Sequence, residues 1–326
     1  MTKTLRSKLR TVFGSLLLCA TLNVWAQYPE KAIRLVVPFA PGGTSEIVAR
    51  SVASSLTKQL GQSVYVENKP GAAGNIAMAE VKRALPDGYT LILGHVGTLA
   101  VNPVLFGSKL PYDPNSDFVA ISLIAKVPNV IAVSTRSGFK TLADLVNAAK
   151  ANPGAINYGS AGNGSAGHLA MEYFATEAGI ELTHVPYKGS GPMLTDLIGG
   201  QTQATFNGLP SLVSQIKGEA LVPLAVGSAA RASSLPEVPT IAESGYPTFE
   251  TSQWYGLLAP AGTPEGIINQ LQKEVVTALK SPEGTKRMRE DGALLVGDTP
   301  QEFTAFIAQE RRRWGEVIKK AKIRVD

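Results

Sequence analysis

Cysteine is all but missing from this chain of 326 residues: the single thiol, Cys19, falls near the N-terminus, so nothing beyond it can form a disulfide or use thiol chemistry. Histidine is nearly as scarce. His95, His168 and His184 are the only three, and none stands at a spacing from acidic residues or other histidines that suggests a metal site or a catalytic triad. Charged residues make up only 17%, and four of the five formal net positive charges belong to Lys3, Arg6, Lys8 and Arg10. Without that segment the chain carries about +1, so neither nucleic acid nor an anionic membrane surface is implied as a partner.

The same basic segment precedes an apolar stretch, Val12 to Leu22, too short for the roughly 20 residues that cross a bilayer. With Val24-Trp25-Ala26 offering a cleavage site before Gln27, residues 1–26 read as an export signal, and the mature protein is expected in the periplasm. Leu18 is too bulky to precede a lipid-modified cysteine, so simple removal is expected, Cys19 included.

What the chain does have is a strand, a glycine loop and a helix in succession. Ile33 to Val37 is an apolar, β-branched run; Pro38-Phe39-Ala40-Pro41-Gly42-Gly43 cannot be helical; Thr44 or Ser45 can cap the helix that follows. Such a junction points backbone N–H groups and the positive end of a helix dipole at the loop, which favours an anion. A second junction of this kind runs from Tyr158 to His168.

From Gln27 strands and helices alternate, the mark of α/β architecture with largely parallel sheets. Val119 to Ser134 and Phe249 to Ala259 are longer than ordinary strands, as expected of segments that carry the chain from one domain to another and back. The reading is a discontinuous first domain, 27–125 and 249–326, a second domain, 126–248, and a ligand cleft between them.

Gly162-Asn163-Gly164-Ser165-Ala166-Gly167 fits the dinucleotide pattern G-x-G-x-x-G, but no carboxylate follows at the end of the next strand, where Thr183 to Lys188 stand. A structural turn or a small-anion site remains, the latter favoured by the hydroxyls of Ser160 and Ser165. Both serines miss the G-x-S-x-G spacing, and no nucleophile with a base beside it is apparent, so no catalytic residue and no cofactor are expected. His168 opens a helix, where it suits a supporting donor as well as a ligand contact, and His184 reads as a core residue. Asn207 ends a strand, either facing the cleft or capping a turn. Arg311-Arg312-Arg313 reads as a solvated helix face.

Several segments in order resemble one family. Val37-Pro38-Phe39-Ala40-Pro41-Gly42-Gly43, Asn68-Lys69-Pro70-Gly71-Ala72-Ala73-Gly74-Asn75, Pro86-Asp87-Gly88-Tyr89, His184-Val185-Pro186-Tyr187-Lys188-Gly189 and Ala259-Pro260-Ala261-Gly262-Thr263-Pro264 are similar to the periplasmic solute-binding proteins of tripartite tricarboxylate transporters, the Bug family. The resemblance implies a two-domain α/β clamshell, a monomer, that captures a small carboxylate and hands it to a membrane permease. It implies a carboxylate held by Phe39, Ala40, Gly42 and Gly43 on one side and Ser160, Gly164, Ser165 and Gly167 on the other. Glu46 stands where the family commonly has Asp. Asn207 stands where many members have an Asp able to pair with an ammonium group, so a ligand lacking that group is expected. A sensor delivering its ligand to a signalling receptor, and an enzyme acting on carboxylate esters, are the alternatives.

Overall fold

The structure, a computed structural model, describes residues 28–321. The expected export signal, its cleavage site and Cys19 lie outside the described residues. The chain from Lys31 onward forms one compact unit, which holds every strand and helix among the described residues.

That unit begins with β1 (Ile33–Val37), whose β-branched and leucine side chains are buried. The helix α1 (Thr44–Leu60) comes next, burying Val48, Ala49, Val52, Ala53 and Leu56 on one face and ending at Gly61, φ +66°. After it stand β2 (Val64–Asn68), α2 (Asn75–Val81), β3 (Thr90–His95) and the short α3 (Asn102–Phe106). The 17-residue β4 (Phe118–Ser134) is the long strand expected from its composition. It leads to α4 (Leu142–Ala151), β5 (Asn157–Ser160), α5 (Ala166–Ala178), β6 (Thr183–Pro186) and α6 (Ser190–Gly199). Then β7 (Ala204–Gly208), α7 (Val213–Lys217), β8 (Leu221–Val226) and β9 (Ser252–Pro260) lead to α8 (Glu265–Lys280), α9 (Pro282–Glu290), the two-residue β10 (Leu294–Leu295) and α10 (Pro300–Ala321).

The strands lie in the order β2-β1-β3-β9-β4-β7-β5-β6, with β8 and β10 also paired to β4. Pairing is parallel within β2-β1-β3 and within β7-β5-β6, but every contact of β4 and β9 is antiparallel. Each half-sheet is thus mostly parallel, as expected, and the two long crossing strands make the whole sheet mixed. Those two strands run against the βαβ units they join and so leave them on either side.

β4 makes the crossing explicit. Phe118 to Pro128 pair with β9, whereas Asn129 to Ser134 pair with β7 and β8. The returning chain bonds at the same place: Gly227 N–H donates to the Asn129 carbonyl and Thr251 N–H to the Gly227 carbonyl. Separate cores flank the two half-sheets. One gathers Met78, Leu99, Trp254, Phe303 and Trp314; another packs Tyr158, Phe174, Phe206 and Phe249 under α4 and α5, with a third under α6 and α7. The Phe303 ring of α10 lies so close over Gly256 that a Cβ there would sit 2.0 Å from it, which fixes β9 against the C-terminal helix.

The arginine run is not one solvated face. Arg312 is exposed, but half-buried Arg311 donates to the Leu99 carbonyl at 3.2 Å, and Arg313 pairs with Glu310 at 2.9 Å. Glu310 in turn accepts the indole N–H of Trp254 at 2.8 Å, so two of the three arginines help seat α10 on the sheet.

Candidate functional site

The loop after β1 arrives at α1 without a side-chain cap; Gly43 is the cap residue, with extended backbone. Neither Thr44 nor Ser45 caps, contrary to the expectation, because both lie inside the first turn. Glu46 and Ile47 donate back to the Gly43 carbonyl, so the amides of this turn that remain for a ligand are those of Thr44 and Ser45, both on the wall of a cavity. The Gly42 N–H is not free for an anion: the Glu46 carboxylate accepts it at 2.6 Å while pairing with Arg50.

The loop after β5 meets α5 differently. Ser165 is the cap, its buried Oγ accepting the His168 N–H, and the residue lines the cavity. His168 Nδ1 accepts the Gly164 N–H at 3.1 Å, with Gly164 at φ +75°, a conformation glycine adopts freely. Gly167 is required by packing, since a Cβ would stand 2.4 Å from the Phe206 carbonyl oxygen.

These two helix starts, from opposite half-sheets, face each other across a cavity of about 20 Å³, room for little more than one water. Direct bonds bridge the halves beside it: Ala40 N–H donates to the Lys188 carbonyl and the Thr44 hydroxyl to the Gly208 carbonyl, at 3.3 and 3.2 Å. Gly43 approaches Ser190 so closely that a Cβ would lie 3.2 Å from its side chain, and Gly42 stands likewise against Gly191. Outward from Phe39 and Ala161, which it shares, a wider space of about 380 Å³ runs past Phe106, Tyr187 and Lys188.

The floor is polar and uncharged. Asn207, 5% exposed, donates to the hydroxyls of Ser190 and Ser211 at 2.9 and 3.2 Å and accepts from Gln253; Tyr255 donates to the Gln253 side-chain oxygen. Its amide is thus engaged by the protein itself. His95 lies beside this ladder, its ring 4.6 Å from that of Phe39. Burial with no anion nearby pushes its pKa down to about 3. No Asp, Glu, Lys or Arg side chain lines the inner cavity.

Of the residues expected at the site, Phe39, Gly43, Ser165, Gly167 and Asn207 line the inner cavity. Ala40, Gly42, Ser160 and Gly164 do not: the first two close the halves over it, and the others shape the second loop. Sequence reasoning missed Ser190, Gln253 and Tyr255, and it named His95 without giving it a place. The glycine just before Ser190, a repeat of the glycine-to-helix junction, was a usable signal for that serine. Nothing local marks Gln253 or Tyr255, which reach the cavity only because β9 returns through the middle of the sheet.

One pair looks catalytic at first sight. Ser160 Oγ lies 2.6 Å from His184 Nε2. But the hydroxyl is 1% exposed and also bonded to the Gly162 N–H and carbonyl, and His184 stacks on His168 at 4.1 Å. Burial first, then the neighbouring His168, push the His184 pKa down to about 3. A serine shielded from the cavity, next to a weakly basic ring, is a brace for the loop. Among the described residues no group of three His, Cys, Asp or Glu is placed to hold a metal, and no helix is long and apolar enough to cross a membrane.

Known proteins resemble this chain in sequence and fold. A family model described as tripartite tricarboxylate transporter family receptor matches residues 48–323. Among solved structures, the periplasmic binding protein BugD is 36% identical, with a TM-score of 0.88 over 91% of this chain and 99% of its own. An R. palustris protein solved with adipate is 40% identical, TM-score 0.88, over 91% and 99%. MatC from Rhodopseudomonas palustris, solved with bound malate, is 31% identical, TM-score 0.85, over 89% and 100%. The architecture is accordingly the two-domain α/β clamshell of periplasmic binding proteins.

Proposed function

This chain belongs to the tripartite tricarboxylate transporter receptor family, and from that premise we propose that it captures a small organic carboxylate lacking an ammonium group and delivers it to a transporter permease. The observation that carries the reading is the cavity walled by two helix starts from opposite half-sheets, with amides, hydroxyls and one neutral imidazole but no ionised side chain. Free amides and helix dipoles at two converging helix ends favour one anionic group, and only in the closed arrangement do both reach it. Binding then shifts an open-to-closed equilibrium, and no chemical step is needed.

The ammonium group is excluded because the cavity offers it no carboxylate: Asn207 is neutral and its neighbours are hydroxyls and amides. Ligands up to the length of adipate, which the R. palustris relative was solved with, would keep one end between the helices and extend the other into the outer space toward Lys188. Domain motion is taken to divide the chain at 27–125 with 249–326 against 126–248, turning where β4 changes partners at Pro128 and Asn129. The protein acts in the periplasm as a monomer after removal of residues 1–26, with Ala40, Gly42, Ser160 and Gly164 shaping the loops around the ligand.

A thermal-shift screen against mono-, di- and tricarboxylates, the amino acids that correspond to them, and nicotinamide cofactors tests this directly. Ligand binding to the folded state alone raises the midpoint by an amount that grows with the ratio of ligand concentration to Kd. The expected result is a shift with one carboxylate class and a larger one for succinate than for aspartate. A larger shift for aspartate would refute the ammonium argument, and shifts with cofactors alone would refute the receptor reading.

A further inference from the structure

His95 is 3% exposed, lines the inner cavity, and its Nε2 has no partner among the described residues. The other ring nitrogen settles which tautomer this is. Nδ1 accepts the Thr98 backbone N–H at 3.0 Å, which only an unprotonated nitrogen can do, so in the neutral ring the proton sits on Nε2. Burial keeps that ring neutral at any ordinary pH. A buried N–H donor without an acceptor is costly and rare, and at a cavity it marks the place of a ligand atom.

The surroundings fix the ring where this donor is useful. Thr98 brackets the backbone as well, its hydroxyl accepting the His95 N–H at 3.2 Å, so the turn after β3 and the imidazole are held together. Phe39 packs against one side. On the Nε2 side stands Gly97, where a Cβ would come within 2.6 Å of Cε1, 3.0 Å of Nε2 and 3.4 Å of the Gly164 carbonyl oxygen across the cleft. Glycine at 97 therefore leaves the space in which a third body can meet Nε2 between the two halves.

We propose that His95 is a ligand-binding residue, a neutral Nε2–H donor that receives one oxygen of the ligand's carboxylate between the starts of α1 and α5. The inference rests on the receptor reading above and adds to it the side chain that discriminates. Backbone amides at the helix ends accept any small anion, whereas a single N–H at fixed position selects an acceptor at that point and rejects an amide or ammonium nitrogen, which would place hydrogen against hydrogen.

Two substitutions separate the donor from its scaffold. In His95→Asn the side-chain oxygen can take over from Nδ1 as acceptor for the Thr98 N–H, but nothing replaces Nε2. In His95→Gln the longer side chain carries an N–H toward the Nε2 position. Calorimetry with adipate and malate as probes, on the purified protein, is expected to show at least a tenfold weaker Kd for His95→Asn and a loss of less than fivefold for His95→Gln. Gly97→Ala, whose methyl fills the space beside Nε2, is expected to weaken binding as well, and undiminished affinity in it counts against the assignment. Should His95→Asn not fold, the Nε2–H resonance of the wild-type protein serves instead: it is expected to move downfield on saturation with the probe. Wild-type affinity in His95→Asn, or an imidazole resonance unmoved by a bound probe, overturns the assignment and leaves the receptor reading standing. Failure of the wild-type protein to bind adipate, malate or any other carboxylate in the screen overturns that reading and this inference with it.

Discussion

At the start of α1 the cap is a glycine, and the nearest carboxylate, Glu46, turns from the cavity to hold the Gly42 N–H. At the start of α5 the cap is a serine hydroxyl, and the corresponding loop N–H, that of Gly164, is held by His168. Both junctions present free amides to the same cavity, but the first is bare and completed by what approaches it across the cleft, Ser190 and the Gly208 carbonyl. The second is assembled within its own half, from Ser160, Ser165, His168 and His184. Changes in the first junction should therefore act on closure, and changes in the second on local stability and on affinity together.

Acid should separate the two junctions most sharply. Burial lowers the pKa of His168 to about 4 and of His184 to about 3, against about 6.5 in the unfolded chain, so the unfolded state binds protons that the folded state refuses. Stability is therefore full above pH 6.5 and falls as the pH drops toward 4. Between pH 6.5 and 5 the loss is at most about 2 kcal/mol each for His95 and His168, and less for half-buried His184. Urea unfolding at pH 7 and 5 should show it. Hydrogen exchange at pH 5 should show α5, beside both His168 and His184, losing protection before α1, which has only His95 nearby; earlier loss in α1 would contradict the ranking.

Gly43→Val should rank second, with binding weakened about a hundredfold, or roughly 3 kcal/mol, at little cost to unliganded stability. The backbone is not the obstacle, since Gly43 has φ −98°, open to any residue; Ser190, across the cleft, is. Undiminished affinity by calorimetry would show that the halves need not come this close. Ser165→Ala should cost about 1 to 3 kcal/mol in affinity, if its hydroxyl donates to the ligand, and about 1 kcal/mol in stability through the lost cap. A stability loss with unchanged affinity would make Ser165 a cap and nothing more. The smallest effect belongs to Glu46→Gln, which keeps an acceptor for the Gly42 N–H and loses an exposed pair with Arg50, worth less than about 0.5 kcal/mol. Its affinity should equal that of the wild-type protein.

The sequence made most elements legible, because their periods are unmixed. The helices Leu142 to Ala151 and Ala166 to Ala178 and the strand Leu221 to Val226 end where capping residues or breakers stand. The long strand at Phe118 to Ser134 was visible as an apolar run too extended for one sheet position. The direction of the two long strands was not visible: nothing in an apolar run says whether its neighbour runs beside it or against it, and β4 and β9 proved antiparallel to every partner. At the site, the helix starts were readable because glycine, proline and hydroxyl residues punctuate them. Of the floor only Asn207 was readable, from its place at a strand end; His95 and Gln253 meet it from β3 and β9, far away in the chain.

Whether the two helix starts share one carboxylate can be seen in a crystal structure with the compound that gives the largest thermal shift. One carboxylate should then lie within hydrogen-bond distance of the Thr44 or Ser45 amide on one side, the Ala166 or Gly167 amide on the other, and His95 Nε2 below. A ligand bound elsewhere, such as the groove between Thr141 and Val222, with the space between α1 and α5 unchanged, would show that the helix starts do not form the binding site.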